Sequence, residues 1–264
     1  MFSDAEEHVL YQIGNAPIRE YPYPHFYVDG IFPDDFYTAM RRHWPSAASL
    51  RNLDALGRVP KGAYAERFVM PFNQKEVAKL GEEAREFWMA FGEWLLSQRF
   101  IESVMRRFDP YIHQRFGPLL AQHAFSSESL IVRDHTNYKI GPHTDAPHRL
   151  LSMLFYCPDD DRLSHLGTSI YRPKDPWFTC KGGPHYDHSL FHRVATMRYR
   201  PNTLFAFFKT DDSFHGVEPI ADAAVLRDLL LYDIRVGKAD TPAVAPTSPP
   251  GSVAMGMLRR LFGK

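Results

Sequence analysis

Apolar residues recur in two different rhythms along the chain, and the change falls near residue 124. Before it, the spacing is helical. Residues 20–30 (Glu20-Tyr21-Pro22-Tyr23-Pro24-His25-Phe26-Tyr27-Val28-Asp29-Gly30) read as an extended lead-in closed by a turn. Pro33-Asp34-Asp35 marks a helix start, because proline and acids are favoured in the first turn. Phe36, Met40 and Trp44 follow at helical spacing, and Pro45 ends the segment. Residues 50–73 carry Gly57, Pro60, Gly62 and Pro71 and read as an irregular loop, a candidate lid. From Gln74 to Phe108, Val77, Leu80, Ala84, Phe87/Trp88, Phe91 and Leu95 recur at three- and four-residue steps, the mark of an amphipathic helix. This aromatic stripe reads as a core-packing face, the usual fate of such residues, rather than as a cofactor contact.

After residue 124 short apolar segments alternate with turn residues. Ser129–Arg133, Arg149–Cys157, Thr168–Arg172, Val194–Arg200, Leu204–Phe208, His215–Ile220 and Leu229–Val236 are rich in Leu, Ile, Val, Phe and Tyr and bounded by Gly, Pro, Asp or Asn. Such runs are strands, and this many predict a sandwich or jelly-roll barrel. The expected plan is one domain over residues 1–237. Residues 1–123 supply mainly helical support and residues 124–237 the barrel. Residues 238–264 form a flexible tail, rich in Pro, Ala, Ser and Thr up to Val253. Its last ten residues, Met255 to Lys264, are basic and apolar. They read as a frayed end rather than a membrane or partner contact, since a helix that short is marginal alone.

Composition narrows the classes. Hydrophobic residues make up 44% and charged residues 23%, ordinary for a globular chain. The formal net charge is zero, so no overall field favours nucleic acid or an anionic membrane. No apolar run reaches the roughly 18–20 residues of a membrane span. Only Cys157 and Cys180 occur, and the first residues are acidic where a secretory signal would be basic then apolar. The expectation is a soluble, cytoplasmic protein. Histidine is the skewed residue: 13 in all, eight of them between His135 and His215. Clustered imidazoles raise the prospect of a metal site.

His143-Thr144-Asp145 fits the start of a 2-His-1-carboxylate triad, the arrangement of non-haem iron(II) oxygenases. At a strand end, residues i and i+2 point to the same side, so both reach one metal. With 13 histidines and 19 aspartates in 264 residues, chance alone supplies such a tripeptide, and His185-Tyr186-Asp187 is a second. Context favours the first. It lies between strand-like Ser129–Tyr138 with its Gly141-Pro142 turn and the strand Arg149–Cys157, whereas His185 follows Lys181-Gly182-Gly183-Pro184, a loop. His185, His188 and His192 have the spacing of a helix face and could hold a second metal, but the Gly-Gly-Pro start favours a solvated loop.

The third ligand must come from a late strand. His215 stands 72 residues after His143, between a polar loop (Lys209 to Ser213) and the strand Phe214-His215-Gly216-Val217. Twelve residues further, Arg227 heads another strand. An oxoacid co-substrate with a distal carboxylate needs a buried cation, and the planar guanidinium fork suits it. Arg227 also reads as a plain salt-bridge arginine, and Arg235, on the same strand face, competes for the role.

The run Tyr138-Lys139-Ile140-Gly141-Pro142-His143-Thr144-Asp145, then Phe214-His215-Gly216-Val217, then Arg227 resembles the 2-oxoglutarate/iron(II) oxygenase superfamily. The resemblance covers about residues 125–237 and is nearest to the prolyl-hydroxylase-like and small-molecule hydroxylase branches. It implies an α+β fold with a double-stranded β-helix (jelly-roll) core and N-terminal supporting helices. It implies iron(II) on His143, Asp145 and His215, with 2-oxoglutarate held by Arg227 and dioxygen as oxidant. Prolyl hydroxylases commonly carry lysine at the distal position, so Arg227 argues against close membership of that branch. Some relatives place a tyrosine before the motif to touch oxoglutarate, and Tyr138 or Arg133 falls there. His148 and Arg149, just beyond the motif, are candidates for substrate contact. The implied reaction hydroxylates or otherwise oxidises a C–H bond of a small-molecule or peptidyl substrate, releasing succinate and carbon dioxide. Related halogenases carry alanine or glycine at the position of Asp145, so a carboxylate there favours hydroxylation, desaturation or ring chemistry. A cupin-type metalloenzyme or metal-binding barrel would share the barrel and histidines without the arginine. A non-catalytic barrel acting through its tail is the third reading.

Overall fold

The computed structural model describes residues 5–57 and 59–238. The tail predicted from Ala239 onward lies outside the described residues. The N-terminal part holds α1 (Ala5–Asn15), β1 (His25–Asp29), α2 (Asp34–Arg42), β2 (Arg51–Asn52), β3 (Arg67–Pro71), α3 (Gln74–Val77), α4 (Glu82–Leu95), α5 (Gln98–Arg107) and α6 (Asp109–Phe116). Eight strands follow: β4 (His123–His135), β5 (Ile140–His143), β6 (Arg149–Tyr156), β7 (Thr168–Pro173), β8 (Phe191–Met197), β9 (Thr203–Phe208), β10 (His215–Val217) and β11 (Leu226–Lys238). The fold is therefore mixed helix and antiparallel sheet, as the two rhythms predict.

The strands form two sheets. The larger has the order β1-β9-β6-β11-β4-β3-β2 and the smaller β5-β10-β7-β8. Residues alternate across the larger sheet. Leu151, Met153 and Phe155 of β6, Leu204, Ala206 and Phe208 of β9, and Leu230, Tyr232 and Ile234 of β11 join the helices in one core. That core takes Phe87, Trp88, Phe91 and Leu95 from α4, so the aromatic stripe is packing, as its spacing predicts. The opposite face sends Leu130, Val132, Tyr156, Phe205, Phe207 and Leu229 toward the smaller sheet, where Ile170 and Met197 meet them.

Three sequence expectations change. The single helical stretch from Gln74 to Phe108 is three helices, broken at Gly81 and again at Ser97, whose hydroxyl accepts from the Phe100 N–H and so starts α5. The loop assigned to residues 50–73 contains β2 and β3; β3 pairs along β4 from Arg67↔Asp134 to Pro71↔Leu130. Gly57, Pro60 and Gly62 mark the connection between the two strands, and Pro71 is the last residue of β3. β8 runs Phe191–Met197, three residues earlier at each end than the strand expected at Val194–Arg200. Among the described residues no helix is long and apolar enough to cross a membrane.

Candidate metal centre

The register of the smaller sheet builds the site. β10 pairs with β5 so that His215 lies directly opposite His143, and the ladder then slips by one residue. Such a bulge bends the strand and re-aims its side chains. Gly216 makes the close pairing possible: a Cβ there would sit 2.5 Å from the Ile140 carbonyl oxygen. The two imidazole centroids stand 4.3 Å apart. Asp145, two residues past His143, brings its Oδ1 to 3.9 Å from His215 Nε2. One ligand atom from each of His143, Asp145 and His215 lies within 4.8 Å of the others, the only such group of three His, Cys, Asp or Glu among the described residues.

Each imidazole is fixed at its other nitrogen. Nδ1 of His143 donates to the Gly141 carbonyl at 2.9 Å, and Nδ1 of His215 to that of Ser213 at 3.0 Å. A proton held at Nδ1 leaves Nε2 as the lone-pair ligand. Burial, with His215 beside it, pulls His143 down to about 3. Burial likewise lowers His215, against the pull of Asp145. Burial works to raise Asp145, but Arg149, the two histidines and the Ser152 hydroxyl overrule it and hold the carboxyl well below the usual range. Two neutral imidazoles and one carboxylate are the protonation states a divalent cation requires.

The triad lines a cavity of about 690 Å³. Arg67, Tyr138, Thr168 and Arg227 line the same cavity. Arg67 of β3, Asp134 of β4 and Arg227 of β11 are direct cross-strand partners, in one row across three strands. Arg67 grips Asp134 with two bonds, Nε–Oδ1 2.6 Å and Nη2–Oδ2 2.9 Å, and Arg227 Nη1 reaches Oδ2 at 2.7 Å. Arg227 Nε donates to the Leu166 carbonyl at 2.7 Å. Two guanidiniums thus face one carboxylate, leaving one positive charge uncompensated. Tyr138 lies beneath Arg67, whose guanidinium sits 4.3 Å from the ring centroid. The buried hydroxyl of Tyr138 has no hydrogen-bond partner among the described residues. Burial raises its pKa, so it remains a donor at working pH. An anion's oxygen fits this end of the cavity.

The remaining sequence candidates fall in different places. Arg133 is absent from the cavity lining; its Nε and Nη2 hold Asp228 at 2.7 and 2.8 Å. One residue before Asp134 on β4, it faces the opposite side by strand alternation. Arg149 lines the cavity but bridges Asp145 and Asp233 at 2.9 and 3.1 Å. His148 also lines the cavity. Arg235 is paired with Glu128. His185 is exposed and outside any helix or strand, as expected of a solvated loop, and its ring centroid stands 4.6 Å from that of His143, with Tyr64 Oη 3.1 Å from its Nε2. Gly182, with φ +128°, lets that loop approach: a Cβ there would meet the Asp145 carbonyl at 2.3 Å. His188 and His192 do not join a metal cluster. Sequence reading misses Arg67, Asp134, Ser152 and Asp233. The only signal is polar residues at inward positions of apolar strands. A second cavity, of about 780 Å³ beside α6, contains none of the triad. Its Arg115 braces the backbone carbonyls of Pro147, Arg149 and Lys209.

No family model matches the chain, and no curated protein matches it. Several solved structures are similar. A Pseudomonas putida prolyl-4-hydroxylase has 14% identity and a TM-score of 0.46, over 87% of this chain and 98% of that one. A prolyl hydroxylase from Trichoplax adhaerens, in complex with a hypoxia inducible factor oxygen degradation domain peptide fragment, has 11% identity and a TM-score of 0.48, over 87% and 88%. SnoK, a non-heme alpha ketoglutarate dependent carbocyclase from nogalamycin biosynthesis, has 12% identity and a TM-score of 0.47, over 96% and 95%.

Proposed function

We propose that this chain is an iron(II)- and 2-oxoglutarate-dependent oxygenase that oxidises a C–H bond, by hydroxylation or a related outcome. In this reading the two sheets are a double-stranded β-helix, and residues 1–237 work as one domain with the helices as support. One observation carries the proposal: a neutral-His, ionised-Asp triad shares its cavity with a site bearing one surplus positive charge and a partnerless Tyr138 hydroxyl. The donor set suits iron(II), and the far end suits a distal carboxylate.

His143, Asp145 and His215 would hold the metal on one face. Arg227 and Arg67, with the hydroxyl of Tyr138, would hold the oxoacid's distal carboxylate. Bound there, iron(II) with 2-oxoglutarate and dioxygen supplies oxidative decarboxylation to succinate and carbon dioxide, coupled to substrate oxidation. The chain's own share is position and exclusion. Val69, Leu130, Leu154 and Leu231 add apolar surface to a cavity wall that also carries many polar groups, a mixture that suits a small ligand with a carbon skeleton and charged ends. His148 and His185 stand where a small-molecule or peptidyl substrate would meet the protein. The absence of a membrane-spanning helix among the described residues and two buried free cysteines support a cytoplasmic setting.

The test is anaerobic addition of 2-oxoglutarate to the iron(II)-loaded protein, followed by air and a count of succinate. A charge-transfer band on addition and succinate on aeration are expected. A cupin-type barrel would bind metal and give neither, and that result would overturn the reading.

A further inference from the structure

The backbone of β5 fixes His143, but Asp145 lies beyond the strand's last residue. Its carboxylate must be oriented by side chains. Two do so, both from β6: Arg149 Nη1 donates to Oδ1 at 2.9 Å, and Ser152 Oγ to Oδ2 at 2.7 Å. The same two side chains also contact Asp233 of β11, the single Ser152 hydroxyl proton serving one carboxylate at a time. Ser152 Oγ lies 3.0 Å from Asp233 Oδ1, and Arg149 Nη2 lies 3.1 Å from Oδ2. The four side chains close a ring, braced by the direct cross-strand pairing of Asp233 with Ser152.

Asp233 is 2% exposed and does not line the cavity, so it meets no ligand. A second buried carboxylate near Asp145 is costly, since charge is desolvated and like charges repel. Its inward-facing neighbours on the strand, Leu229 and Leu231, are apolar, so a leucine would suit core packing alone. We propose that Asp233 is a positioning residue for the metal carboxylate. Through Ser152 and Arg149 it sets the orientation of Asp145, so that Oδ1, the oxygen facing His215, is presented before a metal arrives. The inference rests on the proposed function only for the metal site and needs no oxoglutarate chemistry. Arg149, a sequence candidate for substrate contact, is one arm of this clamp.

The test uses the full chain and its Asp233→Ala, Asp233→Asn and Ser152→Ala variants, titrated with iron(II) without oxygen and with cobalt(II). Losing a residue that orients a metal ligand typically lowers affinity about 10–100-fold. Asp233→Ala is expected to fall in that range and to change the cobalt(II) visible spectrum. Asp233→Asn, able to meet both arms, is expected to recover most of the affinity and the spectrum. Ser152→Ala, which removes one arm, should fall between them; it keeps the test decisive if Asp233→Ala does not fold. A purely structural role would lower the melting midpoint and leave metal affinity and spectrum as in the wild type, which would overturn the proposal. Wild-type protein that binds neither metal would overturn both readings. Metal binding with the expected variant pattern but no response to oxoglutarate would overturn only the proposed function.

Discussion

Replacing Tyr138 by phenylalanine should act with opposite sign on the free protein and on its oxoglutarate complex. The ring is fully buried and the hydroxyl has no partner among the described residues. A buried hydroxyl without a partner costs on the order of 1–3 kcal/mol. It lines a cavity, where water would meet part of that cost, so the gain from deletion is about 1 kcal/mol or less. The Arg67 guanidinium 4.3 Å above the ring keeps its aromatic partner in the variant. At this chain length about 1 kcal/mol moves the melting midpoint by roughly 2–4 °C. The complex should lose a hydrogen bond from a neutral donor to a charged acceptor, worth about 1.5–3 kcal/mol. That is roughly a 10- to 150-fold rise in the dissociation constant for 2-oxoglutarate. Thermal melts of the metal-free protein give the first quantity, and an anaerobic oxoglutarate titration of the iron(II) form gives the second. A variant that melts lower than the wild type and binds oxoglutarate equally well would refute the reasoning.

Three more outcomes follow from the same geometry. Gly216→Ala puts a Cβ 2.5 Å from the Ile140 carbonyl oxygen; it should force β5 and β10 apart and lower iron(II) affinity about tenfold or more, measurable by anaerobic titration. Arg67→Met removes the surplus charge and should weaken oxoglutarate binding roughly tenfold or more, while Arg133→Met, on the opposite face and paired with Asp228, should leave that affinity unchanged; equal losses in the two would contradict the assigned faces. The metal-free protein should lose stability as pH falls from 6.5, because burial holds His25, His143, His148, His185 and His215 below that value. The unfolded chain then binds protons that the native one refuses, about 2 kcal/mol at pH 5 for His143 alone. Asp233, pushed up to about 6 by burial against the pull of Arg149, opposes this below pH 6 but is one group against five. Melting midpoints at pH 7.5, 6.5 and 5.5 check the sum, and a midpoint that holds or rises would contradict it.

What the sequence could reveal was set by the range of each interaction. His143 and Asp145 are local: two residues apart at a strand end, they declare a shared face by strand geometry alone. His215 is distant in sequence, yet its apolar strand and polar loop mark it as a late-strand ligand. Nothing in one strand says that His215 stands opposite His143; that comes from register, and register here depends on Gly216 admitting the Ile140 carbonyl. Arg227 was legible as a cation in a suitable place, but its charge balance was not. Asp134 cancels it, and Arg67, from a segment that reads as loop, restores the surplus. The same limit hid Asp233, which looks like a break in the apolar run Leu229–Ile234. Its sense appears only once β6 lies alongside and supplies Ser152 and Arg149. Polar residues at buried strand positions were the one available signal; Asp134, Ser152, Arg227 and Asp233 belong to the network that shapes the cavity, whereas Asp228, as deeply buried, pairs with Arg41 and Arg133 on the other face.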